Sequence, residues 1–238
     1  LMSRGLLDVK SLITNKFKIE DAENAYDLLN DASVLGILLE YESKEEATLR
    51  SSTVNLPKFK AKKNSSSGIV VGFIGAGNYA SRTLIPEFSA SGISLDTLVT
   101  STGISGVHHG EKAGFRITST DADKIWTNEK INTVVIVTRH NLHAKQVILA
   151  LESGKNVFVE KPLALNLGEL NLIYKTFHRV NKDQKNSLRL MVGFNRRFAP
   201  HIIKIKELLK NNVDPKVIVM TINAGSLPID HWTQDIKV

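Results

Sequence analysis

With 238 residues, 42% of them hydrophobic and 23% charged, the chain has the usage of a folded globular protein, which sets aside disordered and collagen-like classes. The absence of cysteine excludes disulfides, thiolate catalysis and cysteine-ligated zinc, leaving Lys, His, Ser, Tyr or a carboxylate as nucleophile or acid. The net charge of +7 suits an anionic small molecule, but the basic residues are scattered and their one cluster, residues 58–63, sits in a polar stretch, so no nucleic-acid partner is expected.

The chain opens on Leu1 rather than Met, as a fragment or a processed product would. Residues 1–41 read as an extended stretch at 12–19, a helix over 20–30 with Ala22, Ala25, Leu28 and Leu29 on one stripe, and an apolar strand at 34–39. That piece is too short to bury its own apolar face. Residues 42–67 turn polar and end Lys62-Lys63-Asn64-Ser65-Ser66-Ser67, the composition of an inter-domain linker. From Gly68 strands and helices alternate: strand 69–74, helix 78–89, strand 95–100, helix 106–113, strand 115–118, helix 121–127, strand 133–138, helix 142–153, strand 156–159, helix 167–180 and strand 188–194. Gly154 follows the fourth of these helices as a left-handed cap. Such alternation predicts an α/β fold, a doubly wound parallel Rossmann sheet over residues 68–190, followed at 191–238 by the truncated start of an α/β substrate domain. No apolar run approaches the ~18 residues of a membrane span and no signal peptide opens the chain, so a cytoplasmic location and no membrane partner are expected.

Gly75-Ala76-Gly77-Asn78-Tyr79-Ala80 lies between the buried strand at 69–74 and a helix, and this context turns a weak glycine pattern into a dinucleotide motif. Gly75 makes the tight turn, Gly77 lets a pyrophosphate approach the backbone, and Ala80 is small enough for helix to pack on strand. The phosphates then rest on the N–H groups of the helix beginning near Asn78 and Tyr79. An NAD-preferring site would place Asp or Glu at the end of the second strand, where this chain has Thr100, Ser101 and Thr102; Asp96 lies at the wrong end. With no carboxylate to repel a 2′-phosphate, NADP is at least as acceptable as NAD. Two further clusters, Thr138-Arg139-His140-Asn141-Leu142-His143 and Glu160-Lys161-Pro162-Leu163, follow parallel strands at their carboxyl ends, where open α/β sheets bind ligands.

The string Gly154-Lys155-Asn156-Val157-Phe158-Val159-Glu160-Lys161-Pro162-Leu163 resembles the hallmark segment of the Gfo/Idh/MocA oxidoreductases, and Gly193-Phe194-Asn195-Arg196-Arg197-Phe198-Ala199-Pro200 is similar to a second segment of that family. The resemblance implies oxidation or reduction of a hydroxyl on a sugar, nucleotide sugar or cyclitol. It makes Lys161 the residue that hydrogen-bonds the reacting hydroxyl, makes Pro162 a cis proline, and gives Glu160 a part in positioning the lysine or the cofactor. A partly desolvated lysine beside a nicotinamide suits general acid–base work; an exposed structural lysine is the alternative. His143 matches the family's histidine near the nicotinamide, with a core or helix-capping role open beside the catalytic one. Arg139 and His140 replace the family's usual Pro-Asn, and Thr138, Arg139 and His140 are placed along the cofactor. A His140–His143 metal pair lacks an evident third ligand, so no metal is expected. Arg196, Arg197 and His231 fall on the substrate side, while the adjacent Asp230 and His231 do not reproduce the family's spaced Asp/His pair.

Residues 13–17 and 20–26 are similar to the end of a zinc-type medium-chain alcohol dehydrogenase, so residues 1–41 are expected to be the remnant of such a domain. The tail at 223–232 is expected to begin the second domain's sheet, with the family's later catalytic histidine downstream and a homo-oligomer forming through that sheet in a full-length protein. The leading expectation is an NAD(P)-dependent dehydrogenase or reductase; the other is a non-catalytic dinucleotide-binding regulator or scaffold, since fold does not fix function.

Overall fold

The computed structural model describes residues 8–41, 51–57, 68–182, 187–223, 225–228, 231 and 233. The chain divides into two compact units, Leu1–Ser51 and Ser52–Val238. The basic cluster at 58–63, Asp230 and Trp232 lie outside the described residues.

In the first unit, strands β1 (Asn15–Lys18) and β2 (Ile37–Glu40) pair in parallel, with helix α1 (Ala22–Asp27) between them and 3-10 turns at Ile19–Asp21 and Leu28–Asn30. The continuous helix expected over residues 20–30 is therefore broken into short pieces. Of its stripe only Ala25 is buried and Leu29 is 64% exposed, so no packed face holds a longer helix together.

The second unit is built on strands β3 (Thr53–Asn55), β4 (Val70–Ile74), β5 (Ser94–Val99), β6 (Ile117–Ser119), β7 (Thr133–Ile136), β8 (Asn156–Val159) and β9 (Leu190–Val192). They form one sheet of order β3-β6-β5-β4-β7-β8-β9, parallel throughout except for β3, which runs antiparallel to β6. Its helices are α2 (Ile85–Ala90), α3 (Gly103–Ala113), α4 (Asp123–Trp126), α5 (His140–Glu152), α6 (Leu167–Val180) and α7 (Pro200–Leu209). The six parallel strands follow the order of a doubly wound Rossmann sheet, whose direction of winding reverses between β4 and β7. Helices cover both faces, so the central strands read as unbroken apolar runs: Val71, Phe73, Leu98, Val134, Val135 and Ile136 are completely buried. One core cluster joins Ile125, Val147, Leu151 and Ile173; the other joins Phe73, Ile85, Leu98 and Phe115, with the Phe73 ring edge-on to Phe88 and Phe115 at 5.2 and 5.6 Å. Gly154 has φ +70° just past α5, as the expected left-handed cap requires.

Three boundaries differ from expectation. The segment at 42–67 is not all linker, because Thr53–Asn55 adds an edge strand and Leu56 is buried to 4% exposure beneath α3. The division expected after residue 190 falls inside β9, which pairs with β8 through Val192 and so belongs to the Rossmann sheet. Among the described residues no strand forms after β9, since the apolar run at 217–222 has no backbone ladder to join. The helix entering at Asn78 also carries a π turn at Ala80–Leu84, where the Ile85 N–H reaches back to Ala80 O. Pro86 follows at once; it has no N–H to give the residue four positions back, and the helix absorbs this by widening.

Candidate functional site

Gly75 and Gly77 stand at the carboxyl end of β4, one flank of the crevice where the winding reverses. Gly75 has φ +102° and donates its N–H to Val99 O (2.8 Å). A Cβ there would stand 2.5 Å from Val137 O, so both backbone conformation and the neighbouring strand end demand glycine. Gly77 is the opposite case: a Cβ on it would meet nothing within 4 Å. Gly77, Asn78 and Tyr79 are exposed while Ala80 is 2% exposed, tucked into the core cluster of Phe73 and Ile85. An open glycine ahead of the unpaired first N–H groups of a helix is a cradle for a diphosphate, and the residues present fit a nicotinamide dinucleotide.

At the end of β5 the structure places hydroxyls. Thr100 Oγ1 donates to Thr102 O (2.7 Å), and Thr102 Oγ1 lies 2.8 Å from Ser105 Oγ on the first turn of α3. Ser101 and Thr102 are exposed. Asp96, at the far end of the strand, is buried and accepts from Arg116 Nε (2.7 Å), Arg116 Nη2 (2.9 Å) and Asn128 Nδ2 (3.0 Å), a structural ion pair.

The loops after β7 and β8 meet at His143. Its imidazole is completely buried; Nδ1 lies 2.7 Å from Pro162 O and Nε2 lies 3.1 Å from Thr138 O. Both ring nitrogens face backbone carbonyls, so the catalytic role considered for His143 gives way to the core role: the side chain ties the Lys161–Pro162 loop to the end of β7. The Lys161–Pro162 peptide is cis. Thr138 is held again by its own Oγ1, which donates to Gln146 Oε1 (2.7 Å) one turn beyond His143. Lys161 itself is exposed. Glu160 turns inward: its Oε2 accepts the Lys161 N–H (3.3 Å), and its Oε1 is buried without a partner, where a Cβ on Gly193 would come within 2.5 Å of it. Burial raises the Glu160 carboxyl above its ordinary value, against the Lys161 N–H and the positive charges of Lys161 and His143. The His140 ring centroid lies 5.7 Å from that of His143, and its pKa is lowered by burial, then by the charges of His143 and Lys161.

Beyond β9, Arg196 and Arg197 lie on the turn Asn195–Phe198, exposed, with Arg197 over the Phe198 ring at 5.0 Å. His231 contacts Thr233 (2.8 Å), and no described contact links it to Lys161 or the glycine loop. Sequence reasoning missed Gln146, Ser105 and Asn195. Asn195 Nδ2 donates to Tyr79 OH (3.1 Å), joining the segment after β9 to the glycine-loop helix. Gln146 had a legible signal, its place three residues after His143 on one helical face.

Residues 69–194, just over half of the chain, match the Gfo/Idh/MocA profile, that of an oxidoreductase family with an NAD-binding Rossmann fold. The chain belongs to this family. Oxidoreductase P35 of Formosa agariphila is 32% identical over 148 residues, 62% of this chain and 44% of that protein. Myo-inositol 2-dehydrogenase of Thermotoga maritima is 30% identical over 114 residues, 48% of this chain and 32% of that protein. Among solved structures, scyllo-inositol dehydrogenase from Lactobacillus casei with bound NAD(H) and scyllo-inositol shares the fold at TM-score 0.54 and 22% identity, over 60% of this chain and 41% of that one. A 3-ketoreductase from Actinomadura kijaniata in complex with TDP-benzene and NADP does so at TM-score 0.53 and 21% identity, over 61% and 44%. The chain thus spans less than half the length of these curated relatives. Within this Gfo/Idh/MocA chain, Arg139 takes an extended conformation (φ −68°, ψ 151°) as the N-cap of α5 and is exposed.

Proposed function

We propose that this chain carries the catalytic half of an NAD(P)-dependent dehydrogenase or reductase acting on a carbinol of a sugar, nucleotide sugar or cyclitol. The observation that carries the reading is the position of Lys161. It follows β8, one strand from the crevice beside β7, on a loop whose Pro162 carbonyl is gripped by the buried His143. The dinucleotide, when bound, supplies the hydride acceptor or donor. The open backbone at Gly77, Asn78 and Tyr79 holds its diphosphate, and the hydroxyls of Ser101 and Thr102 meet the ribose end with either a 2′-hydroxyl or a 2′-phosphate. Thr138, Arg139, His140, Glu160 and Pro162 line the path between. Lys161 Nζ hydrogen-bonds the substrate hydroxyl and takes its proton on oxidation, or returns it on reduction. Arg196, Arg197 and His231 belong to the substrate side.

Because a relative is named as a myo-inositol 2-dehydrogenase, cyclitols are the first compounds to try. Turnover of myo-inositol, scyllo-inositol and nucleotide sugars with NAD+ and NADP+ is the direct test. Lys161→Ala should lower it by about a hundredfold or more, the scale of acid–base assistance, with little change in NADH affinity. Unchanged turnover would move the proton transfer elsewhere; NADH binding with no turnover of any carbinol would favour the regulator or scaffold.

We also propose that residues 1–41 derive from a medium-chain dehydrogenase-like domain. The parallel β1–α1–β2 arrangement supports that origin, as it repeats the unit from which nucleotide-binding sheets are made.

A further inference from the structure

The segment after β9 reaches back across the crevice to the glycine loop. Asn195 Nδ2 donates to Tyr79 OH at 3.1 Å, and among the described residues no other hydrogen bond joins that segment to the helix entering at Asn78. The two ends of this bond are set from opposite flanks. Tyr79 stands two residues past Gly77, on the first helical turn after β4, and is 41% exposed. Asn195 is exposed too, but its backbone is fixed: its N–H donates to Gly193 O (2.8 Å) and the Phe194 N–H donates to Val192 O (2.8 Å). Gly193 is in turn buried against the Glu160 carboxyl, next to Lys161.

In the sheet β4 and β9 are separated by β7 and β8, so the bond ties together segments whose strands lie three spacings apart, about 14 Å. The two strand ends between them carry Thr138 and Lys161. A dinucleotide with its diphosphate on Gly77 and its nicotinamide beside Lys161 lies within that span. We propose that Tyr79 and Asn195 form a clasp across the nicotinamide end of the crevice, which opens to admit the dinucleotide and closes again over it, so that these two side chains set how fast the cofactor exchanges. The clasp rests on the oxidoreductase reading above and adds to it the control of entry and release. A single hydrogen bond between exposed, uncharged groups suits a fastening that opens at every exchange, because its net worth is small and water satisfies both groups when it breaks.

Stopped-flow fluorescence of NADH with the parent, Tyr79→Phe, Asn195→Ala and the double variant tests it. Tyr79→Phe deletes the hydroxyl and keeps the ring, so its circular dichroism spectrum should match that of the parent. Association and dissociation rates should both rise about fivefold in each single variant, the scale of one hydrogen bond of ordinary net strength, while Kd changes by less than about twofold. The double variant should be no faster than either single one, as two halves of one bond require. Unchanged or slower rates, or additive effects of the two substitutions, overturn the proposal. So does faster dissociation with association unaltered, which would make the pair an ordinary contact to the bound cofactor. Faster association with dissociation unaltered overturns it as well, since the bond would then compete with the dinucleotide. Failure of the parent to bind NADH would instead defeat the oxidoreductase reading on which the clasp depends.

Discussion

His143 has no access to solvent, yet it sits between the two loops that any chemistry at this site needs in place. His143→Ala removes the only side chain bridging Thr138 O and Pro162 O in the described structure, and with it the ring N–H given to one of these carbonyls. At ~1–3 kcal/mol for a carbonyl left unsatisfied, the variant should lose on the order of 1–3 kcal/mol of stability in urea denaturation. A loss within experimental error would show that the bridge is dispensable. Glu160 offers a pH test with a defined sign. Its folded pKa lies above the ordinary carboxyl value because burial penalises the charged form. The stability tied to its neutral form is therefore full below the unfolded pKa and is lost as pH rises through the folded one. Glu160→Gln cannot ionise, so its melting temperature should match the parent at about pH 4 and exceed it at about pH 8. The reverse order would mean that the carboxylate is stabilised by partners and that the unpartnered Oε1 is of no consequence.

At the level of elements, the parts legible in the sequence were those whose burial leaves a pattern. Val70–Ile74 and Thr133–Ile136 are covered on both faces and read as apolar runs; Leu167–Val180 has an amphipathic repeat and an Asn166 cap accepting the Glu169 N–H (2.9 Å). The glycine turn was legible from its place between a buried strand and a helix, whereas the cis Lys161–Pro162 peptide was expected only through the family resemblance. Thr53–Asn55 was hidden because three edge residues between polar stretches carry no period, and only pairing with Ile117–Ser119 makes them a strand. The inward turn of His143 was hidden too, because nothing in its helix distinguishes a histidine facing two carbonyls from one facing a ligand. If β3 belongs to the Rossmann unit as the structure shows, Leu56→Ala should cost that unit about 2–5 kcal/mol, the usual range for a buried leucine. Thermal melting of the variant reads this directly, and a shift of less than a degree would return the segment to the linker.

For the whole molecule, the sheet order, the open Gly77 and the Gfo/Idh/MocA match converge on one crevice, and the net charge of +7 favours the anionic cofactor that would enter it. The central claim is that a nicotinamide dinucleotide rests its diphosphate on the backbone at Gly77. Fluorescence titration of the parent and of Gly77→Val with NADPH and with NADH tests it most directly, because a Cβ at position 77 would enter the open space and meet no other part of the chain within 4 Å. The parent should bind one equivalent, with NADPH no weaker than NADH because Ser101 and Thr102 stand where a carboxylate would repel the 2′-phosphate, and Gly77→Val should keep its circular dichroism spectrum while losing binding altogether. Undiminished binding by Gly77→Val, or an NADH preference of tenfold or more (about 1.4 kcal/mol), would contradict this placement of the cofactor.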